Sequence, residues 1–157
     1  KEQMKKINIE PIIQSVVDDY NSIYKVKKDI KINYENDGKK EYSVNGIENR
    51  IEQMIANLLD NSISFTKKGG KIIVNISNTS NKKITVKIID EGQGFKEKDT
   101  SKIFRRFYSN RPDKFGEHSG LGLNIVKNLV ELHDGKITAS NRPNNEGAIM
   151  EISFPSM

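Results

Sequence analysis

Apolar residues recur along this chain at two periods, 3.6 and 2, and the switches between them lay out its elements. Ile7 and Ile9 mark a short extended segment ending at Pro11. Ile12, Ile13, Val16, Val17, Tyr20 and Ile23 then recur at helical spacing, which predicts a helix ending near 25–28. Ile30, Ile32 and Tyr34 alternate with polar residues and read as a half-buried strand; Asn36-Asp37-Gly38 turns the chain, and 41–44 is expected to return as a second strand. Asn45 with Glu48 three residues later resembles a capping box for a helix carried by Ile47, Ile51, Met54, Ile55, Leu58, Leu59 and Ile63. Gly69-Gly70 closes it, with Lys67 and Lys68 where a helix dipole favours cations. Two strands follow, Ile72/Val74/Ile76 and Ile84/Val86/Ile88, joined by a hairpin at 78–82. A short helix is expected over 99–107, then a polar loop at 109–119 expected to be mobile, then a helix from Leu121 to His133 closed by Asp134-Gly135. Strands at 137–139 and 148–154, joined by a turn at 143–147, complete the chain.

Helices mixed with hairpin-linked strands, rather than strict βαβ alternation, predict an α/β (α+β) two-layer sandwich. Its sheet is mixed and mostly antiparallel, with helices packed on one face. No internal repeat, linker or low-complexity segment divides the chain, so residues 1–157 read as a single domain.

Composition narrows the chemistry. With no cysteine among 157 residues, thiol catalysis, thiolate zinc sites and disulfide frameworks are excluded. No run approaches a transmembrane span, and the first residues lack the apolar stretch of a secretion signal. The net charge of +5 comes from 26 basic against 21 acidic residues. Such a balance suits a triphosphate as well as a polyanion, but most lysines alternate with acids as solvated surface, and no basic stripe is interleaved with aromatics as a nucleic-acid groove requires.

Three short constellations carry the candidate chemistry. Gln53, Asn57 and Asn61 follow one another at i, i+4 and form one ridge of a helix, with Asp60 and Ser64 beside it. Asparagine is a poor helix-interior residue because its amide competes for the backbone, and amide oxygens are good ligands for magnesium; a solvated helix face with accidental asparagines is the plain alternative. Next, the strand Ile84–Asp90 runs into Glu91-Gly92-Gln93-Gly94. Alternating glycines let the backbone turn sharply and a flat ring approach. A carboxylate at the strand end can accept from adenine's exocyclic amine, which guanine lacks. An ordinary Asp-Gly turn is the alternative. Last, Gly120-Leu121-Gly122-Leu123 opens a helix whose free amides and dipole suit phosphate. It matches neither the dinucleotide fingerprint nor a P-loop. His133 reads as a cap or surface histidine, His118 as a loop residue without a chemical role, and Phe104, Phe107 and Tyr108 as core. Arg105, Arg106, Arg111 and Lys114 read as solvated unless a triphosphate lies near, in which case one or two could clamp it.

Together these pieces resemble the ATP-binding catalytic domain of bacterial sensor histidine kinases, in the superfamily shared with DNA gyrase and heat-shock chaperone ATPases. Asn57-Leu58-Leu59-Asp60-Asn61 is similar to that family's asparagine box, and Asp90-x-Gly92-x-Gly94-Phe95 to its first glycine box. Ile103-Phe104-Arg105-Arg106-Phe107-Tyr108 is similar to its phenylalanine box, Gly120-Leu121-Gly122-Leu123 to its second glycine box, and Asn145-Glu146-Gly147-Ala148 to its closing turn. The likeness runs from about Ile7 to Phe154.

The resemblance implies the Bergerat sandwich, with ATP and Mg2+ as cofactors. It implies that Asn57 holds magnesium and Asn61 lies by the phosphates. Asp90 would meet the adenine amine, with Gly92 and Gly94 beside the base, and Phe65 would be the aromatic that lines it. An ATP lid would span about 105–119, and Ser119, Gly120, Leu121, Gly122 and Leu123 would meet the phosphates through backbone and hydroxyl groups. Arg105, Arg106 or Arg111 would spread the charge developing on the γ-phosphate.

The implied partners are a phosphoacceptor helical dimerisation domain and a downstream response regulator, with no nucleic acid and no direct membrane contact. The implied setting is the cytoplasmic part of a bacterial inner-membrane sensor. Three positions depart from the pattern. Gln53 stands where hydrolysing relatives carry a glutamate that activates water, and an amide cannot take that proton. Ser64 replaces a common basic residue, and His118 replaces the first glycine of the second glycine box. Phosphate transfer is therefore favoured over hydrolysis, with a nucleotide-binding switch lacking transfer as the alternative. Neither His118 nor His133 has the sequence context of the acceptor, so the chain reads as half an enzyme.

Overall fold

The computed structural model describes residues 3–39, 41–79, 82–95, 100–104, 122–143 and 146–157. In chain order the elements are β1 (Lys5–Asn8), α1 (Glu10–Lys27), β2 (Lys31–Asn36), β3 (Ser43–Gly46), α2 (Glu48–Ser64), β4 (Lys71–Thr79), β5 (Lys83–Asp90), a 3-10 turn (Thr100–Phe104), α3 (Gly122–Leu132), β6 (Lys136–Asn141) and β7 (Ala148–Pro155). A five-stranded sheet has the order β2-β4-β5-β7-β6; β1 and β3 form a separate two-stranded ribbon. β2 runs parallel to β4, and every other neighbour is antiparallel. The expected mixed, mostly antiparallel sheet with helices on one face is what the chain forms.

The period-2 pattern explains the sheet. Ile72, Val74 and Ile76 of β4, Ile84, Val86 and Ile88 of β5, and Met150, Ile152 and Phe154 of β7 are buried on one face. The residues between them are only partly covered, and that face carries a Lys87–Glu151 ion pair at 3.8 Å. Helix α2 lies against α1, α3 and β5, burying Ile51, Met54, Ile55, Leu58, Leu59 and Ile63. α1 adds Ile13, Val16 and Val17, and α3 adds Leu123, Val126 and Val130.

Two expectations give way. The strand after the Asn36–Gly38 turn pairs with β1 rather than with β2, because β2 lies parallel beside β4. The Asn45–Glu48 capping box does not form either. Asn45 lies in β3 opposite Lys6, the N-cap position is Ile47, and no side-chain cap bond is made from it. The Ile47 N–H instead donates to His133 Nε2 at 3.1 Å, while His133 Nδ1 lies 2.8 Å from the Leu129 carbonyl. An acceptor at Nε2 and a donor at Nδ1 define one neutral tautomer. His133 is only 4% exposed, so it is a buried cap rather than a surface group.

The cations expected to close α2 are also different ones. Lys67 and Lys68 are exposed, whereas Lys28, from the end of α1, donates to the Ile63 and Thr66 carbonyls at 2.8 and 3.1 Å. Burial lowers the Lys28 ammonium below its ordinary range.

Candidate nucleotide site

The period of β5 carries through its last residue. Ile84, Val86, Ile88 and Asp90 are all buried, so Asp90 puts a carboxylate at a core-facing position of the central strand, with no exposed surface. A buried carboxylate needs donors. Asp90 Oδ1 accepts from the Gly92 N–H at 3.0 Å and the Ala148 N–H at 3.2 Å, which ties the loop after β5 to the start of β7.

The remainder of that loop is braced from β6. The Phe95 N–H donates to Asn141 Oδ1 at 2.6 Å, and Asn141 Nδ2 donates to the Phe95 carbonyl at 3.0 Å. Two glycines are demanded by these contacts. A Cβ on Gly94 would lie 2.2 Å from Asn141 Oδ1; one on Gly147, whose φ is +144°, would lie 1.9 Å from the Asp90 carbonyl oxygen. Gly94 is thus required by a protein contact, independently of any flat ring nearby. Arg142 closes the bracket: its N–H donates to the Gly147 carbonyl at 2.8 Å and its Nη1 to the Asp90 carbonyl at 3.2 Å.

Beside this loop lies a pocket of about 420 Å³. Phe65, at the C-cap of α2, meets Gly92 and Gln93 in its lining, and Lys67, Glu91, Arg142 and Glu146 supply its charges. Phe65 is 2% exposed, so it forms an apolar wall anchored in the core. Glu91 Oε1 accepts from the Lys71 N–H at 2.8 Å, fixing the rim to β4.

The asparagine ridge sits on α2. Asn61 is buried, while Asn57 and Gln53 are half-buried. Asp60 turns the other way: its Oδ1 accepts from the Tyr20 hydroxyl at 2.9 Å, pinning α2 to α1. Burial raises the Asp60 carboxyl above its ordinary value, against the pull of the Tyr20 hydroxyl. Ser64 Oγ donates to the Asn61 carbonyl at 2.8 Å, so that hydroxyl is engaged within its own helix.

Of the helix-opening glycines, Gly122 is the first residue of α3, and nothing among the described residues lies within 4 Å of where its Cβ would be. Leu123 is buried in the core, so only its backbone can face a ligand. Phe104 is buried, as expected, and its carbonyl accepts from Asn124 Nδ2 at 3.0 Å. Arg105, Arg106, Phe107, Tyr108, Arg111, Lys114, His118, Ser119, Gly120 and Leu121 lie outside the described residues, as does the expected lid.

Phe65 and Gly92, far apart in sequence, thus meet around one pocket, while Asp90 and Gly94 lie in the loop beside it without lining it. Asn141 and Arg142 carry no signal in the sequence; Lys67, Glu91 and Glu146 stand there as a helix-closing cation and as members of two turns, not as residues of a pocket.

The donor set fits an adenine nucleotide on one count: a fixed core-facing carboxylate at the start of the loop whose Glu91, Gly92 and Gln93 line the pocket with Phe65. It fits magnesium only as an ion brought with phosphates. Among the described residues no group of three or more His, Cys, Asp or Glu could hold a metal alone. Magnesium commonly takes one or two protein oxygens and completes its shell with phosphate and water.

Residues 46–157 match the family model for histidine kinase-, DNA gyrase B-, and HSP90-like ATPases. The sensor protein ChvG of Agrobacterium fabrum is 34% identical over 155 residues, covering 94% of this chain and 26% of that protein. The catalytic domain of histidine kinase ThkA superimposes with a TM-score of 0.83 at 26% identity, covering 98% of each chain. ThkA solved in complex with the response regulator protein TrrA gives a TM-score of 0.80 at 25% identity, over 98% of this chain and 42% of that one. The fold, the boxes and these likenesses agree: the chain belongs to the histidine kinase-, DNA gyrase B-, and HSP90-like ATPase family, among the ATP-binding catalytic domains of sensor histidine kinases.

Proposed function

We propose that this domain binds Mg-ATP, with the base in the pocket between the end of α2, the loop after β5 and the β6–β7 connection, and the phosphates toward the first turn of α3. It would present the γ-phosphate to a histidine on a separate helical domain of the same parent kinase. The observation that carries this reading is Asp90: a fully buried carboxylate, fixed by the Gly92 and Ala148 amides, next to a pocket walled by Phe65. A buried acceptor of that kind discriminates a base that offers an amine from one that offers a carbonyl.

Asp90 selects adenine, with Gly92, Gly94 and Phe65 around the base. Asn57 offers its amide oxygen to magnesium, and Asn61 lies toward the phosphates. Backbone groups of Ser119, Gly120, Leu121, Gly122 and Leu123 receive them at the start of α3, where the helix dipole is favourable. Arg105, Arg106 or Arg111 neutralises charge on the transferring group. Bound Mg-ATP supplies the activated phosphoryl group; the protein's part is positioning and charge neutralisation, which dominate phosphoryl-transfer catalysis. Gln53 offers no carboxylate to activate water, which favours transfer over hydrolysis.

The acceptor histidine and its helper acid or base would come from the rest of the parent. This chain covers about a quarter of ChvG, and ThkA has been seen with a response regulator, which supports a regulator as the downstream partner here. No helix among the described residues is long and apolar enough to cross a membrane. The chain's likeness to sensor proteins such as ChvG supports a cytoplasmic part of a membrane sensor. A second reading, a nucleotide-controlled switch without transfer, has one observation in its favour: Ser64, at the common basic position, bonds back to its own helix.

Radiolabelled ATP added with a separately made acceptor-histidine domain decides between these. Acid-labile histidyl phosphate on the acceptor is the expected result. Binding without transfer favours the switch, and steady phosphate release alone contradicts both.

A further inference from the structure

Seven lysines converge on one corner of the fold. Lys25, Lys27, Lys28 and Lys31 lie at the end of α1 and the start of β2; Lys67, Lys68 and Lys71 lie between α2 and β4 and at the first residue of β4. The backbone joins the two segments. The Gly69 N–H donates to the Lys28 carbonyl at 2.9 Å and the Lys31 N–H to the Gly70 carbonyl at 3.3 Å. Lys31 and Lys71 are direct partners in the parallel β2–β4 ladder.

Like charges placed opposite one another on neighbouring strands oppose folding, so this arrangement has no local stabilising purpose. Within the two segments the only acid is Asp29, which leaves the corner at +6 when the whole chain carries +5. Glu91 stands at the margin, with Oε1 on the Lys71 N–H. Lys28 is engaged in capping α2, and Lys27 reaches over the Tyr24 ring at 6.0 Å. Lys25, Lys31, Lys67, Lys68 and Lys71 are exposed.

Beside Lys25 and Lys31 opens a groove of about 480 Å³, lined also by Asp29, Ile30 and Ile32. Asn21, also in the lining, bonds the Ile32 N–H at 2.8 Å and the Ile32 carbonyl at 2.9 Å, so its amide serves the backbone rather than a ligand. Two apolar side chains stand free beside the lysines: Val26 is 86% exposed and Ile23 45%.

We propose that this corner is a docking surface for an acidic segment of a partner protein, one that carries apolar side chains among its carboxylates. The charge excess attracts and steers such a segment, while Val26, Ile23 and the groove give its apolar residues a place to bury. A single-stranded nucleic acid is disfavoured, because the aromatics described near the lysines are engaged or buried: Tyr24 lies under Lys27 and stacks on Tyr20, and Phe65 is buried. A lipid surface is disfavoured because α1 has its apolar face in the core through Ile13, Val16 and Val17. Lys67 also lines the pocket proposed for the nucleotide; the other six lysines, the groove and Val26 carry the proposal without it.

The test uses a fluorescein-labelled twelve-residue peptide of repeating Glu-Glu-Leu and the full chain. Fluorescence anisotropy should show binding that weakens as salt is raised. Lys25→Glu, Lys31→Glu and Lys68→Glu together should weaken it by about tenfold or more. The same charge change at Lys82, Lys83 and Lys136, at the opposite end of the sheet, should weaken it by no more than about threefold. Val26→Ser alone should reduce affinity measurably. Equal losses from the two triple variants would mean that net charge alone is read, and would overturn the proposal. So would tighter binding of phosphatidylserine vesicles, or of a twelve-nucleotide thymidine oligonucleotide, than of the peptide. If charge reversal unfolds the chain, the glutamine triple at Lys25, Lys31 and Lys68 gives the same reading.

Discussion

Asn141 and Phe95 hold each other through two hydrogen bonds, with the Asn141 side-chain amide standing in for a strand backbone. The pair fixes the end of the loop that begins at Asp90. Each bond is worth about 1 kcal/mol net, and more is lost if a buried partner is left unpaired. Asn141→Ala is therefore expected to lower stability by about 2–3 kcal/mol in urea unfolding. It should also weaken Mg-ATP binding by about tenfold as the loop loosens. Asn141→Asp should be worse than an isosteric change suggests, because its carboxylate would face the Phe95 carbonyl.

Gly147 sets a sharper steric limit. Its φ is +144°, and a Cβ would come within 1.9 Å of the Asp90 carbonyl oxygen. Gly147→Ala should cost at least about 2 kcal/mol of stability and reduce nucleotide binding with it. Gly38 is the control. It also has a positive φ, +79°, but nothing among the described residues lies within 4 Å of its Cβ position. Gly38→Ala should cost only the backbone strain, about 1 kcal/mol, and leave nucleotide binding intact.

His133 gives a prediction away from the pocket. It accepts the Ile47 N–H at the entry to α2 and packs edge-on to Phe154. His133→Leu leaves that amide without its acceptor and should cost about 1–3 kcal/mol in urea unfolding. The preference for ATP over GTP should be unchanged.

That bond also explains what could be read from the sequence. Helix α2 was legible because apolar residues keep its period, but the way it is capped was not. Asn45 and Glu48 have the spacing of a capping box, yet pairing with β1 holds Asn45 in a strand, and the acceptor for Ile47 comes from a residue 86 positions away. Lys28 at the end of the same helix repeats the lesson, since neighbouring Lys67 and Lys68 were the local candidates. At the site, Asp90 could be found because it ends a periodic strand, and Phe65 through the resemblance to the kinase family. Asn141 and Arg142 could not, because their role exists only once β6 lies beside β7 and reaches the Asp90 loop.

Asp37 makes one part of the fold pH-dependent. Slight burial pushes its carboxyl up, but hydrogen bonds from the Tyr42 hydroxyl, the Asn78 N–H and the Lys39 N–H outweigh that and hold it below the ordinary range. A depressed folded value means that the ionised form is favoured in the fold. Its stabilisation is present above the unfolded carboxyl value of about 4 and is lost as pH falls through the folded value. Asp37→Asn should therefore be less stable than the parent at pH 7. The gap should close as urea unfolding is repeated at progressively lower pH.

The central claim, that this site recognises adenine through Asp90, is tested most directly by calorimetric titration of Mg-ATP and Mg-GTP into the wild type and Asp90→Asn. The wild type is expected to bind Mg-ATP at least about tenfold more tightly than Mg-GTP, and Asp90→Asn to lose most of that preference. Equal affinity of the wild type for the two nucleotides would contradict it.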